Sequence, residues 1–194
     1  MFFAALLAVA VTSPVAASDA RCGDDAQILN QDIQTFDQDP QKGWRSVASR
    51  LECRAHAAEL LREYREMLQM QLDGLAWHEG QLRAELGQID EAIGLFERAR
   101  RPEVVLGQRQ EIWNAYVDAT IAFLKGDRVA LLRARARLAA APVPAIMQRQ
   151  PDGSLRASKA SAPPNLDVVD GLIECFGRPY VEAYGSRCRR NAPQ

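Results

Sequence analysis

The chain has 194 residues, 47% of them hydrophobic, and its 24 basic and 25 acidic side chains leave a formal net charge of -1. That balance supplies no electrostatic reason to bind nucleic acid or to lie on a membrane surface. The apolar fraction and length suit one globular domain with a real core rather than a disordered chain.

In chain order, the opening stretch MFFAALLAVAVTSPVAA has no charged side chain, an apolar run from Phe2 to Val11, and small residues at Val15, Ala16 and Ala17. This pattern predicts an export signal over 1–17, cleaved after Ala17. The run is too short to span a bilayer, which takes about 20 apolar residues, so no stable membrane insertion is expected after cleavage. Asp19, Ala20 and Arg21 before Cys22 lack the aliphatic and small residues of a lipoprotein processing site. A periplasmic or secreted location follows. Cys22, Cys53, Cys175 and Cys188 are an even number in an exported chain, which predicts disulfides. Three connectivities are open, and nearness in sequence favours Cys22 with Cys53 and Cys175 with Cys188. No C-x-x-C spacing is present, so neither a metal nor another cofactor is expected.

Ile28, Leu29, Ile33 and Phe36 recur at helical spacing between Asp24 and Pro40 and predict a first helix there. From Gly43 to Met70 two apolar stripes, one with Trp44, Val47 and Leu51 and one with Ala57, Leu60, Leu61 and Tyr64, are out of phase near Cys53. Two helices and a turn are expected. The segment from Asp73 to Pro102 repeats the pattern, with Leu75, Trp77, Leu82 and Leu86 before Gly87 and Ile89, Ala92, Ile93, Phe96 and Ala99 after it. Gly87 is placed to end a helix, Asp90 to cap the next, and Pro102 to stop it. A shift of 35 residues lays Val47 on Leu82, Ala57 on Ala92 and Leu61 on Phe96; a shift of 39 lays Ile121 on Leu82 and Gly126 on Gly87. Hairpins recurring at such periods predict an α-solenoid.

The stretch from Leu75 to Pro102 resembles a tetratricopeptide repeat, with Trp77, Gly80, Gly87, Ala92, Phe96 and Ala99 at or near the family's signature positions. The likeness extends over about Gly43 to Ala140, and the whole is similar to small exported tetratricopeptide-like proteins of proteobacteria without an assigned role. The resemblance implies an all-α fold: a short α-solenoid of about three helical hairpins that serves as a scaffold for a protein or peptide partner. It implies no chemistry.

After Ala141 the prolines Pro142, Pro144, Pro151, Pro163 and Pro164 mark residues 142–165 as a Pro-rich loop, with Pro151, Asp152 and Gly153 as a turn. Asn165 then caps a helix whose Leu166, Val169, Leu172, Ile173 and Phe176 share one side, and a last short helix leads to Cys188. The expected division is therefore a signal over 1–17, a helical-repeat domain over 18–141, the loop over 142–165, and a helical cap over 166–194.

No nucleophile motif is present, and Leu82 breaks the metalloprotease pattern that His78 and Glu79 begin. Carboxylate pairs such as Glu63 with Glu66 read as solvated helix faces. An enzyme is not expected. From Asp19 to Asp39 six aspartates face only Arg21, and from Gly126 to Arg149 five arginines face only Asp127, an asymmetry that internal pairing would explain. Arg133, Arg135 and Arg137 cannot share one stripe, because alternate residues lie about 200° apart on a helix. With Arg128 they could edge a groove that receives a carboxylate or phosphate. The predicted partner-binding residues are Trp77, Gln81, Arg83, Arg128 and Arg133, and alanine at Gln81 or Arg83 is expected to weaken binding without lowering the melting temperature. The rival expectation is an envelope inhibitor, immunity or glycan-binding protein acting through the Pro-rich loop and the arginine cluster.

Overall fold

A computed structural model describes residues 22–68, 73–101, 108–143, 145–150, 153–159 and 162–189. The expected export signal and its cleavage site lie outside the described residues. The fold is mostly helical: α1 (Asp25–Leu29), α2 (Gly43–Ala48), α3 (Arg54–Leu68), α4 (Asp73–Glu85), α5 (Ile89–Arg98), α6 (Gln108–Leu124), α7 (Arg128–Ala140), α8 (Leu166–Glu174) and α9 (Tyr180–Ala183).

The single helix expected before Pro40 is broken in two. Asp24 caps α1 by accepting from the Gln27 N–H at 3.2 Å. Asp32 then starts a π-helical turn over Gln34–Gln38, its carboxylate accepting from the Thr35 N–H and hydroxyl at 3.0 and 2.7 Å. Such local capping competes with helix continuation. The phase change near Cys53 coincides with the gap between α2 and α3, which holds a 3-10 turn over Leu51–Cys53.

The hairpins α4/α5 and α6/α7 close identically. Gly87 and Gly126 take left-handed φ values of +78° and +68°. In each, two backbone bonds complete a Schellman motif: Gln88 N–H to Arg83 C=O with Gly87 N–H to Ala84 C=O, and Asp127 N–H to Ala122 C=O with Gly126 N–H to Phe123 C=O. Asp127 caps α7 by accepting from the Ala130 N–H at 2.9 Å. Its counterpart ahead of α5 is Gln88, whose side chain makes no capping bond; Asp90, the expected cap, lies inside the first turn instead.

Two apolar clusters share α4. Leu75 and Leu82 belong to one with Ile28, Phe36, Trp44, Val47, Leu60 and Leu61. Ala76, Trp77 and Ala84 belong to the other, with Phe96, Tyr116, Val117, Leu131, Leu138, Val169, Leu172 and Tyr180. Trp77 touches Phe96, Trp113 and Tyr116 at ring-centroid separations of 4.6, 4.9 and 4.8 Å, so α4, α5 and α6 meet on one indole. Gly80 permits the approach of α5, because a Cβ there would come within 2.8 Å of the Phe96 ring. The C-terminal helices pack broadly: α8 lies on α6 and α7, and α9 reaches α4.

Disulfides join Cys22 to Cys53 and Cys175 to Cys188. They span 31 and 13 residues, which in the chain-entropy account contributes about 4 and about 3 kcal/mol. No helix among the described residues is long and apolar enough to cross a membrane.

The fold class is the expected all-α one, and the Pro-rich stretch adds a small hairpin where a loop was expected. Ala145–Arg149 (β1) and Leu155–Lys159 (β2) form an antiparallel hairpin, pairing Ala145 with Lys159 through Arg149 with Leu155. It closes where Gly153, at φ +83°, donates to Gln150 C=O at 2.9 Å and the Gln150 N–H donates to Ser154 C=O at 2.8 Å. Neither strand contains a proline, a residue with no backbone N–H to give the ladder. Proline content marked the strand limits rather than the absence of strands.

Candidate functional site

An open groove of about 680 Å³ runs between the end of α5 and the lengths of α6 and α7. Its apolar floor includes Ile121 and Ala122, both nearly buried. Helical spacing builds its α7 wall, where Ala130, Arg133 and Arg137 recur at three and four residues while Leu131, Ala134 and Leu138 face the core. The Schellman turn holds Lys125 at its mouth, one residue before Gly126.

The carboxylates around this groove are already engaged. Asp118 is held between Arg100, at 2.5 Å, and Arg137. Glu97 pairs with Arg100, and Asp127 serves as the α7 cap. Lys125 and Arg133 form no ion pair with any other described residue. The result is a trough with an apolar bottom and two open cations, suited to noncovalent capture of a carboxylate-bearing ligand.

Of the predicted contact residues, only Arg133 reaches this groove. Arg128 is exposed on α7, its guanidinium 5.5 Å from the centroid of the Phe176 ring. Trp77 is closed inside the aromatic cluster at 4% exposure. Gln81 is half-buried, its Oε1 3.2 Å from His78 Nδ1. Arg83 is buried at 7%, bonded to Glu59 at 2.7 Å and Gln88 at 3.0 Å and paired to Glu79 at 3.7 Å. Alanine at Arg83 would strip a buried ion network and is therefore expected to lower the melting temperature, where the sequence alone suggested no such loss. Arg135 turns away from the groove to Asp170 of α8 at 2.9 Å, consistent with the divergence of alternate helical positions. Lys125, Arg100 and Asp118 escaped the sequence reading; the one available signal was the four-residue spacing of Arg133 and Arg137.

The charge asymmetry resolves into local pairs. Asp25 meets His56 at 2.7 Å and Asp39 meets Lys42 at 3.7 Å, while Arg137 and Arg135 of α7 use Asp118 and Asp170. Asp37, buried beneath Trp44, accepts from the indole N–H at 3.0 Å and lies 3.6 Å from His78 Nε2. A second cavity, of about 500 Å³, is lined by Glu59, Arg65, Glu79 and Arg83. There Arg65 donates from Nε and a terminal nitrogen to Glu79 Oε2 at 3.2 and 2.9 Å. These charges are spent on one another. Among the described residues no group of His, Cys, Asp and Glu is placed to hold a metal ion.

Burial lowers the His78 pKa, opposed by the Asp37 charge and the Gln81 hydrogen bond and reinforced by Arg45. The unfolded chain therefore takes up this proton first as the pH falls below about 6.5, and the folded state loses stability by at most about 1.4 kcal/mol per pH unit until its own pKa is passed. Burial raises Glu79 and Glu85 despite their arginine neighbours, and these act with the opposite sign, weakening the fold as the pH rises above about 4.5. Urea titrations of wild type and His78→Gln between pH 7 and 5 isolate the histidine: the wild type should lose more stability, and parallel curves would refute this environment for His78.

No family model matches the chain, and no curated protein and no solved structure matches it.

Proposed function

We propose that this chain is an exported, tetratricopeptide-like helical scaffold that captures a segment of a protein partner noncovalently in the groove between α5, α6 and α7. The supporting observation is the pair of open cations, Lys125 and Arg133, above an apolar floor whose carboxylates are all engaged. Two disulfides and the lack of a membrane-spanning helix among the described residues agree with a place in the bacterial envelope or outside the cell. The recurring hairpin closure at Gly87 and Gly126 agrees with a repeat architecture.

The test is site-specific photo-crosslinking in the cell that makes the protein, with the reactive residue at Ala136 on the groove wall. A discrete protein adduct is expected. Lys125→Glu with Arg133→Glu should reduce it about tenfold or more. Thermal stability should stay within about 0.5 kcal/mol, since neither cation has an ion pair among the described residues to lose. Absence of any protein adduct overturns the reading. The inhibitor or glycan reading draws on the ordered β1–β2 hairpin, which exposes Leu155 and Arg156. An adduct at Leu155 with none at Ala136 would favour it.

A further inference from the structure

We propose that the occupant of this groove is an acidic amphipathic helix of the partner, laid along the outer flank of α7. This rests on the reading of the groove as a site of protein capture and specifies the chemistry of what is captured.

The sequence of α7, RVALLRARARLAA, is apolar on more sides than its packing uses. Leu131, Ala134 and Leu138 are buried against the core, and Arg135 faces Asp170 of α8. On the remaining side Val129 is 59% exposed and Leu132 45% exposed, beside exposed Ala136 and Ala140. A helix with apolar residues beyond its core stripe is characteristically covered, and no described element covers this flank. Val129, Arg133, Ala136 and Ala140 follow one another at four, three and four residues, a ridge that a second helix can straddle, with alanines allowing close approach. The thirteen residues of α7 give a docking length of about 20 Å.

Charge selects among covers. No carboxylate occurs on α7. Those of the adjoining groove, Glu97, Asp118 and Asp127, are held by Arg100, Arg137 and the α7 cap. Among the described residues no carboxylate pairs with Lys125 or Arg133, which can meet carboxylates from outside. A uniformly anionic surface, such as a lipid headgroup layer, fits less well: the two exposed cations stand beside three carboxylates of the groove, Glu97, Asp118 and Asp127, which an anionic plane would meet at the same time. A partner helix with acidic residues flanking an apolar stripe satisfies both the exposed aliphatic side chains and the open cations.

The probe is a fluorescent, alanine-based, 18-residue helical peptide with a leucine stripe flanked by glutamates, compared with peptides carrying glutamine or lysine in place of glutamate. Anisotropy titrations of the full chain should show saturable binding of the glutamate peptide, about tenfold or more tighter than the glutamine peptide and weakening with ionic strength. Lys125→Glu with Arg133→Glu should reverse the preference towards the lysine peptide, and Val129→Asp should weaken binding without that reversal. Equal affinity for the glutamate and glutamine peptides, or no saturation by about 1 mM, overturns the proposal. Sedimentation with phosphatidylglycerol but not phosphatidylcholine vesicles, abolished by the same double substitution and without peptide binding, also overturns it and assigns the cations to an anionic membrane. Photo-crosslinking at Ala136 does not depend on peptide charge. A partner adduct alongside a negative peptide result therefore removes the acidic helix alone, while loss of both removes the capture function as well.

Discussion

Alanine at Gly43 is expected to prevent accumulation of the folded protein or to cost more than about 4 kcal/mol, the range reserved for strain that cannot relax. Gly43 opens α2 with a left-handed φ of +53°, and a Cβ there would come 2.0 Å from the Phe36 carbonyl oxygen, 2.6 Å from its carbon and 2.7 Å from its Cα. All three atoms are backbone, so no side-chain rotation relieves the clash. Phe36 cannot retreat, because it is fully buried in the π-helical turn and stacks on Tyr64 with ring centroids 3.7 Å apart and planes 6° from parallel. Tyr64 is itself tied by its hydroxyl to Gln31 C=O at 2.7 Å. Displacing this turn also disturbs Asp37, the partner of Trp44 and neighbour of His78. The contrasting substitution is Gly94→Ala on the exposed side of α5, where a Cβ meets nothing within 4 Å, and a gain of about 0.5–1 kcal/mol is expected from helix propensity. Urea denaturation of both variants is the measurement. A Gly43→Ala protein as stable as wild type would contradict the contact between α2 and the π-helical turn.

Glu79→Ala should cost about 3–5 kcal/mol, because it leaves arginines committed to a site that water scarcely reaches. The Glu79 side chain is 4% exposed and those of Arg65 and Arg83 are 17% and 8% exposed. Arg83 keeps Glu59, but Arg65 has both of its hydrogen bonds in this network on Glu79. Arg65→Met should likewise destabilise, by stranding the carboxylate. The double variant Glu79→Leu with Arg65→Met should recover most of the loss, since a buried ion pair replaced by apolar side chains of similar volume is often neutral. A double-mutant cycle in urea built on Glu79→Leu and Arg65→Met, with a coupling energy near zero, would show that the two side chains do not depend on each other. The same network explains why Arg83 is a poor binding residue: α3, α4 and α5 have turned it inward among Glu59, Glu79 and Glu91.

The sequence by itself determined the helical body, because apolar residues at three- and four-residue spacing have one way to hide together, and because Gly87 and Gly126 mark turns that need a left-handed residue. It also determined that four cysteines would favour near-neighbour pairing. Local competition escaped it: Asp32 breaks a helix by bonding to Thr35, and residues between flanking prolines pair as strands, choices that depend on geometry outside a periodicity window. The functional site was legible only in part. Arg133 stood out as an arginine on a short helix, but its pairing state depends on where Asp118 and Asp127 sit, and those positions are set by the packing of α5, α6 and α7. Trp77 and Arg83 stood out on α4 and the structure buried both, because a conspicuous side chain on a packed helix is most often part of its interior. A free cation in a groove is a property of the neighbours a side chain lacks, and only the tertiary structure decides those.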